Sequence, residues 1–366
     1  MDDEKSGSAV NDEHVEFDRY RHIQYFAYCV RQLPGSYSKL DTNRLTLAHF
    51  GVHALDMLGV WEDEAMQTSL GLEKKAIIDW IYAMQVPAKK EHPSQAGFKG
   101  GSFLGGSFED TADQPWQYNH GHIAMNYTAL ATLRTLGDDW SRLDRKGILE
   151  ALKGLQLTDG SFASISVGSE HDMRFLYCAC CISHMLNDWS CIDIDKAISY
   201  IRSCRGFDGA IALLPGQESH GGSTFCAVAS LVLMKAVDKV IDREWRRDLL
   251  RWCVNRQVCG MQGRPNKNED TCYSYWIGGT LRLLDNDQLL DHTALQSFVM
   301  NCQTQMGGFS KLIGAYPDML HAYYSLAYLS LSQTHAKDRG DANLKDVNCT
   351  LGICKATAEH FFPLYP

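Results

Sequence analysis

Apolar residues along this chain fall into two alternating kinds of run. Residues 1–14, MDDEKSGSAVNDEH, hold almost nothing to bury and are expected to form a disordered tail. In the stretch from Arg21 to Leu33, Ile23, Phe26, Ala27 and Val30 recur at helical spacing, and Pro34-Gly35 ends the helix. Six segments that are apolar on nearly every face then begin near Leu45, His122, Met173, Ser223, Thr271 and Leu320, the last five at intervals of 48 to 51 residues. Between them lie amphipathic segments with similar endings: IIDWIYAMQ to Gln85, ILEALKGLQ to Gln156, AISYIRSCR to Arg205, LLRWCVNRQ to Gln257 and LQSFVMNCQ to Gln303. A glycine turn follows each. An insertion around residues 88–118, rich in Gly, Pro and Ser, lengthens the first interval and reads as loop.

Two helices per repeat, one buried all round and one with a polar face, predict two concentric layers. Six such pairs close on themselves into an all-α fold, an α/α barrel or toroid, which needs no capping repeats; an open solenoid is the alternative architecture. The expected organisation is a single barrel domain over 15–333 followed by a polar extension over 334–366. The inner helices open on His122, Arg174, His220 (just before Ser223), Asp270 and His321, so one rim collects ionisable groups while aromatic rings line the interior. A cavity with a polar rim and aromatic walls suits a long apolar molecule with a charged head.

Charge and cysteine usage narrow the class. Acidic residues outnumber basic ones 44 to 35, giving a net charge of −9 with no basic run, which argues against a nucleic-acid surface. Thirteen cysteines, an odd number in no disulfide-scaffold spacing, and an N-terminus unlike a signal peptide point to a reduced, cytoplasmic protein. The longest clean apolar run, Phe225 to Met234, is too short to span a membrane.

The chemistry concentrates in RPNKNEDTCYSYW, residues 264–276. Arg264 and Lys267 stand in a polar loop, Asp270 is at an N-cap position, and Cys272, Tyr273, Tyr275 and Trp276 open an apolar helix. Residues i and i+2 diverge on a regular helix, so Asp270 and Cys272 can share a metal only if Asp270 sits at the cap, before the helical backbone begins. His321, opening a later segment of the same kind, is the candidate third ligand. Asp, Cys and His leave a fourth position open on a zinc ion, as catalytic sites do. On spacing alone the same residues serve equally well as helix caps and core groups.

With the repeats, RPNKxxDTCYSxW, ESHGGSTFC and the late histidine together, the chain resembles the β subunits of protein prenyltransferases over residues 20–333, most of all the geranylgeranyl type I branch. The resemblance implies an α/α barrel paired with an α subunit, and one Zn2+ held by Asp270, Cys272 and His321. It implies transfer of a prenyl group from geranylgeranyl diphosphate to the cysteine of a C-terminal CaaX sequence, X preferably Leu, on small GTPases and similar proteins. Cys272 is then a ligand, because zinc makes the substrate's own thiol the nucleophile. His220, Gly221 and Gly222, whose backbone N–H groups are expected free at a helix start, together with Arg264, Lys267 and Tyr273, match the diphosphate contacts. Lys311, where the farnesyl enzyme has a magnesium-linked aspartate, implies that Mg2+ is not required. Thr46, in place of a tryptophan, leaves room for the longer isoprenoid. Arg174 resembles the arginine holding the peptide C-terminus, and His122, Ala124, Phe175 and Leu320 resemble the pocket for its last side chain.

Farnesyltransferase and type II geranylgeranyltransferase β subunits are the alternatives within the family. A terpene cyclase shares the barrel, but its D-x-D-D acid is missing: Asp193-Ile194-Asp195-Lys196 stops short and is expected in a loop. A non-catalytic helical-repeat scaffold is the alternative of a different class.

Overall fold

The computed structural model describes residues 15–90, 93–102, 120–335 and 342–360. The expected tail, residues 91–92 and 103–119 of the insertion, and residues 336–341 and 361–366 of the extension lie outside the described residues. In chain order the helices are α1 (Arg19–Arg31), α2 (Arg44–Met57), the short α3 (Glu64–Ser69), α4 (Lys74–Tyr82), α5 (Ile123–Thr135), α6 (Arg145–Leu155), α7 (Met173–Met185), α8 (Ile194–Ser203), α9 (Gly221–Leu233), the short α10 (Val237–Val240), α11 (Arg243–Val254), α12 (Thr271–Leu283), α13 (His292–Asn301), α14 (Met319–Ser332) and the short α15 (Lys355–Glu359). Helices α2, α5, α7, α9, α12 and α14 pack each on the next, and α14 packs back on α2, so the inner layer is a closed ring rather than an open solenoid. The predicted inner helices start within two residues of the observed ones.

The outer helices α1, α6, α8, α11 and α13 are all capped by an aspartate, Asp18, Asp144, Asp193, Asp242 and Asp291, whose carboxylate accepts the amide three residues on. Each such cap stabilises its helix by about 1 kcal/mol. Asp193, expected in a loop, is one of them. Five of the six inner helices are capped by His122, Asp172, His220, Asp270 and Asp318, which accept the amide two residues on, while α2 has no side-chain cap.

The recurring endings of the outer segments have a mechanical meaning. Gln156 accepts the Asp193 amide (2.8 Å) and donates to the Asp193 carbonyl (3.0 Å), clamping the start of the next outer helix. Gln257 does the same to Asp291, and Gln85 joins the Asp144 amide to the Arg142 carbonyl. Gln303, in the last repeat, clamps the first: its Oε1 accepts from the Asp18 amide and His22 Nε2, and its Nε2 donates to the Glu16 carbonyl. Arg205 departs from the pattern and instead lies over the Trp245 ring at 4.9 Å. The glycine turns touch the same next helix. A Cβ on Gly160 would lie 2.1 Å from the Lys196 carbonyl oxygen and one on Gly307 2.1 Å from that of Arg21, and both residues have positive φ, so only glycine fits.

Between outer and inner helices the chain folds back through two successive β-bridges, as in Gln257↔Met261 and Gln262↔Glu269, where sequence predicted only turn. After Thr334 the reading as a polar extension gives way. The two-residue strands Val347–Asn348 and Ile353–Cys354 pair antiparallel, and Leu344, Val347, Leu351, Ile353 and Cys354 are buried against the barrel. All thirteen cysteines are free thiols. Among the described residues no helix is long and apolar enough to cross a membrane.

Candidate metal and substrate centre

The caps of the inner helices stand around one rim, and three of them carry candidate site groups. Asp270 has extended backbone (φ −153°, ψ 128°), as a cap must, and accepts the Cys272 amide at 3.0 Å. That conformation lets the carboxylate and the thiol face the same point. His321, in the first turn of α14, reaches Asp270 Oδ1 with Nε2 at 3.2 Å. Ligand atoms of Asp270, Cys272 and His321 all lie within 4.8 Å of one another. Lys311 is 3.5 Å from Asp270 Oδ2, and its carbonyl accepts the Thr271 amide, fixing this segment to the start of α12.

Asp318 went unnoticed in the sequence. Its Oδ1 accepts the amides of Leu320 and His321 while its Oδ2 binds His321 Nδ1 at 2.6 Å. A cap aspartate three residues ahead of a histidine is the signal that could have found it. Carboxylates that hold the far nitrogen of a metal-binding histidine set its tautomer and orientation. Burial works against a charged ring at His321, but Asp270 and Asp318 more than offset it and raise its pKa to about 9. Burial, then the Asp270 charge, pushes the Cys272 thiol well up. Free of metal, the trio therefore holds protons where a dication would sit. One sulfur, one imidazole nitrogen and one carboxylate oxygen, converging and nearly buried, fit a zinc ion with an open position.

Asp287, His292 and His335 also gather within 4.8 Å, at the opposite ends of α12 and α14. Their imidazoles stack at 4.1 Å with planes 7° apart, so the in-plane lone pairs run parallel and do not converge on one ion. Arg282 occupies Asp287 Oδ2 at 2.7 Å. This cluster is an ion-pair network closing helix ends.

Beside the trio, His220 Nδ1 accepts the Gly222 amide (3.0 Å), which places the proton of the neutral ring on Nε2. Nε2 then donates to the Tyr273 hydroxyl at 2.9 Å, leaving the tyrosine its own proton to give. Burial, then the Arg264 charge, lowers the His220 pKa and keeps the ring neutral. Arg264 pairs with Glu218 at 2.8 Å, and Lys267 stands exposed in the same turn. Gly221 and Gly222 correct one expectation. Their amides are not free for an anion, since Gly221 donates to the Gly263 carbonyl (2.9 Å) and Gly222 to His220. Gly221 serves close approach instead: a Cβ there would lie 2.9 Å from Ile277 and 3.1 Å from Tyr273.

Farther round the rim, His122 caps α5 through Nδ1 and meets Phe175 edge-on at 5.8 Å, with Ala124 half-covered beside it. Arg174 is half exposed, held by Asp172 and Glu170 and lying over the Phe175 ring at 5.1 Å. Leu320, 37% exposed, neighbours His321. Thr46 lies in the first turn of α2, 3.5 Å from Met125 Sδ. Below the rim, Tyr127, Tyr177, Phe225, Tyr275, Tyr324, Phe50 and His49 touch in sequence and close into a belt of rings.

Residues 17–353 match the prenyltransferase alpha-alpha toroid domain family. The chain is 39% identical over 333 residues to the geranylgeranyl transferase type-1 subunit beta of Arabidopsis thaliana, covering 87% of this chain and 85% of that one. It is 35% identical over 336 residues to the protein of the same name from Dictyostelium discoideum, covering 88% and 91%. The solved structure of Candida albicans protein geranylgeranyltransferase-I complexed with GGPP superposes with a TM-score of 0.80 at 24% identity, covering 96% of this chain and all of that one, which shows the shared fold.

Proposed function

Because the chain belongs to the prenyltransferase α-α toroid family, among the geranylgeranyl transferase type-1 β subunits, we propose that it works as half of a heterodimer with an α subunit. The pair transfers the geranylgeranyl group of geranylgeranyl diphosphate to the cysteine thiol of CaaX-ended proteins such as small GTPases, with leucine preferred at X. The observation that carries this reading is the convergence of Asp270, Cys272 and His321 at the rim of a ring-lined barrel.

Those three residues would hold one Zn2+, which when bound would keep a substrate thiol deprotonated at neutral pH. Asp318 fixes the His321 ring through Nδ1, which turns Nε2 toward Asp270, where it would serve as a ligand. On the electrophile side, Arg264, Lys267 and Lys311 meet the charge that develops on the departing diphosphate, and Tyr273 donates its free proton to it. Lys311 makes magnesium dispensable. Arg174 orients the peptide's C-terminal carboxylate, and His122, Ala124, Phe175 and Leu320 receive its last side chain.

The test is coexpression with an α subunit, followed by metal analysis and a transfer assay. About one zinc per heterodimer is expected, falling to none in Cys272→Ala. Transfer should favour the C20 over the C15 donor and CaaL over CaaM or CaaS peptides, without added magnesium. A zinc-free active heterodimer, or a preference for the C15 donor, would overturn the assignment.

A further inference from the structure

The first amide of a helix has no partner within it and needs an acceptor from outside. In α5, α7, α9 and α12 that acceptor is a main-chain carbonyl of the following repeat. Ile123 donates to Ser164 (2.9 Å), Met173 to Leu213 (3.2 Å), Gly221 to Gly263 (2.9 Å) and Thr271 to Lys311 (3.0 Å). Each acceptor directly follows a residue of the second β-bridge of its own repeat, so the link is built from backbone and recurs whatever the side chains are. For α14 the following repeat is the first of the chain. There α1 runs into α2 through a 3-10 segment, Gly35–Asn43, where the other repeats have their pair of bridges. At this seam the Met319 amide donates to the hydroxyl of Tyr37, at 2.9 Å.

Met319 stands two residues ahead of His321, and every amide of that first turn is held: Met319 by Tyr37, Leu320 and His321 by Asp318 Oδ1. The Tyr37 hydroxyl also shares a hydrogen bond with that of Tyr25 on α1. The Tyr25 ring in turn covers the glycine turn of the last repeat, since a Cβ on Gly308 would lie 2.8 Å from its Cε1. On the other side the Met319 side chain meets α2, where a Cβ on Gly51 would lie 2.9 Å from Met319 Cε. The two helices that carry the candidate metal ligands are therefore anchored differently. The start of α12, with Asp270 and Cys272, is tied to a carbonyl, whereas the start of α14, with His321, depends on one phenol.

We propose that Tyr37 is a positioning residue for the metal centre: its hydroxyl, standing where other repeats offer a carbonyl, sets where α14 begins and so holds His321 in register with Asp270 and Cys272. This rests on the metal site assigned above. Metal–ligand bonds tolerate about 0.2 Å, so a small slide or rotation of the first turn of α14 costs affinity. Tyr37 touches no ligand and acts through the helix start alone.

In the heterodimer, Tyr37→Phe keeps the ring and removes the acceptor, and should weaken zinc by ~3- to 10-fold in a chelator competition, the worth of one neutral hydrogen bond. Gln303→Ala loosens the same seam without a hydrogen bond to α14 and should keep the parent affinity. Parent affinity in folded Tyr37→Phe, or an equal loss in both variants, overturns the proposal. The unaltered heterodimer supplies a readout that does not depend on a variant folding. Because coupling is reciprocal, bound zinc should slow hydrogen exchange of the Met319 amide by a similar ~3- to 10-fold relative to the chelated protein, while the Met173 amide at the start of α7 is unmoved. Equal exchange of Met319 in both states, or equal slowing at Met173, also overturns it. A parent heterodimer that takes up no zinc would instead sink the metal assignment.

Discussion

The amide of Gly222 decides where the proton of Tyr273 points: by donating to His220 Nδ1 it forces Nε2 to donate to the tyrosine, which is left with a proton to give. Tyr273→Phe is therefore expected to lower kcat for prenyl transfer by ~10²-fold with little change in donor affinity, measured by single-turnover kinetics. Asp318→Asn keeps a cap but loses the charge on His321, and should weaken metal affinity by about 10- to 100-fold in a chelator competition. Thr46→Trp should shift preference from the C20 to the C15 donor; an unchanged preference would place the length limit elsewhere. At this scale the convergence of Asp270, Cys272 and His321 was legible through the resemblance and through the cap position of Asp270, since spacing alone suited helix caps and core groups equally well. Asp318 was not, since its part depends on where His321 points. Gly221 and Gly222 misled for a related reason: a helix start has free amides only if no neighbouring carbonyl, here that of Gly263, arrives to take one.

The inner helices were read from periodicity, and the structure moves their starts by no more than two residues. What periodicity could not give is the joint between one repeat and the next, because a glutamine and the aspartate it clamps are 34 to 59 residues apart in sequence. Gln303 makes the joint at the seam, with three hydrogen bonds, one of them from His22. Gln303→Ala should cost about 1–3 kcal/mol in denaturant unfolding, since it strands the buried His22 ring. The His22 ring is neutral, its Nδ1 accepting the Gly308 amide, and burial lowers its pKa to about 4 despite Gln303 and Asp18. In the unfolded chain it titrates near 6.5, so the unfolded state binds more protons between pH 6.5 and 4. Stability should thus fall as pH drops through that window, and His22→Gln should reduce the slope by up to about one proton.

Over the whole molecule, the ring of helix contacts and clamps runs independently of the candidate metal ligands, which touch only the rim of α12 and α14. Chelation is expected to leave helical circular dichroism unchanged while lowering Tm, because removing a ligand at about 100 times its Kd withdraws about 2.7 kcal/mol from the folded state. The barrel and its layers followed from composition and repeat length, whereas the stretch after Thr334 did not. Its described apolar residues show no helical period, and their burial depends on barrel helices far away in sequence.

A row of stacked helix pairs ordinarily unravels from its two outermost units, which have a neighbour on one side only. Here Gly307 lies against the carbonyl of Arg21 as Gly160 lies against that of Lys196, so no unit is outermost. Severing that one junction would turn a hoop into a strip, and loss of cooperativity, with fraying at both new margins, would follow from damage at a single place.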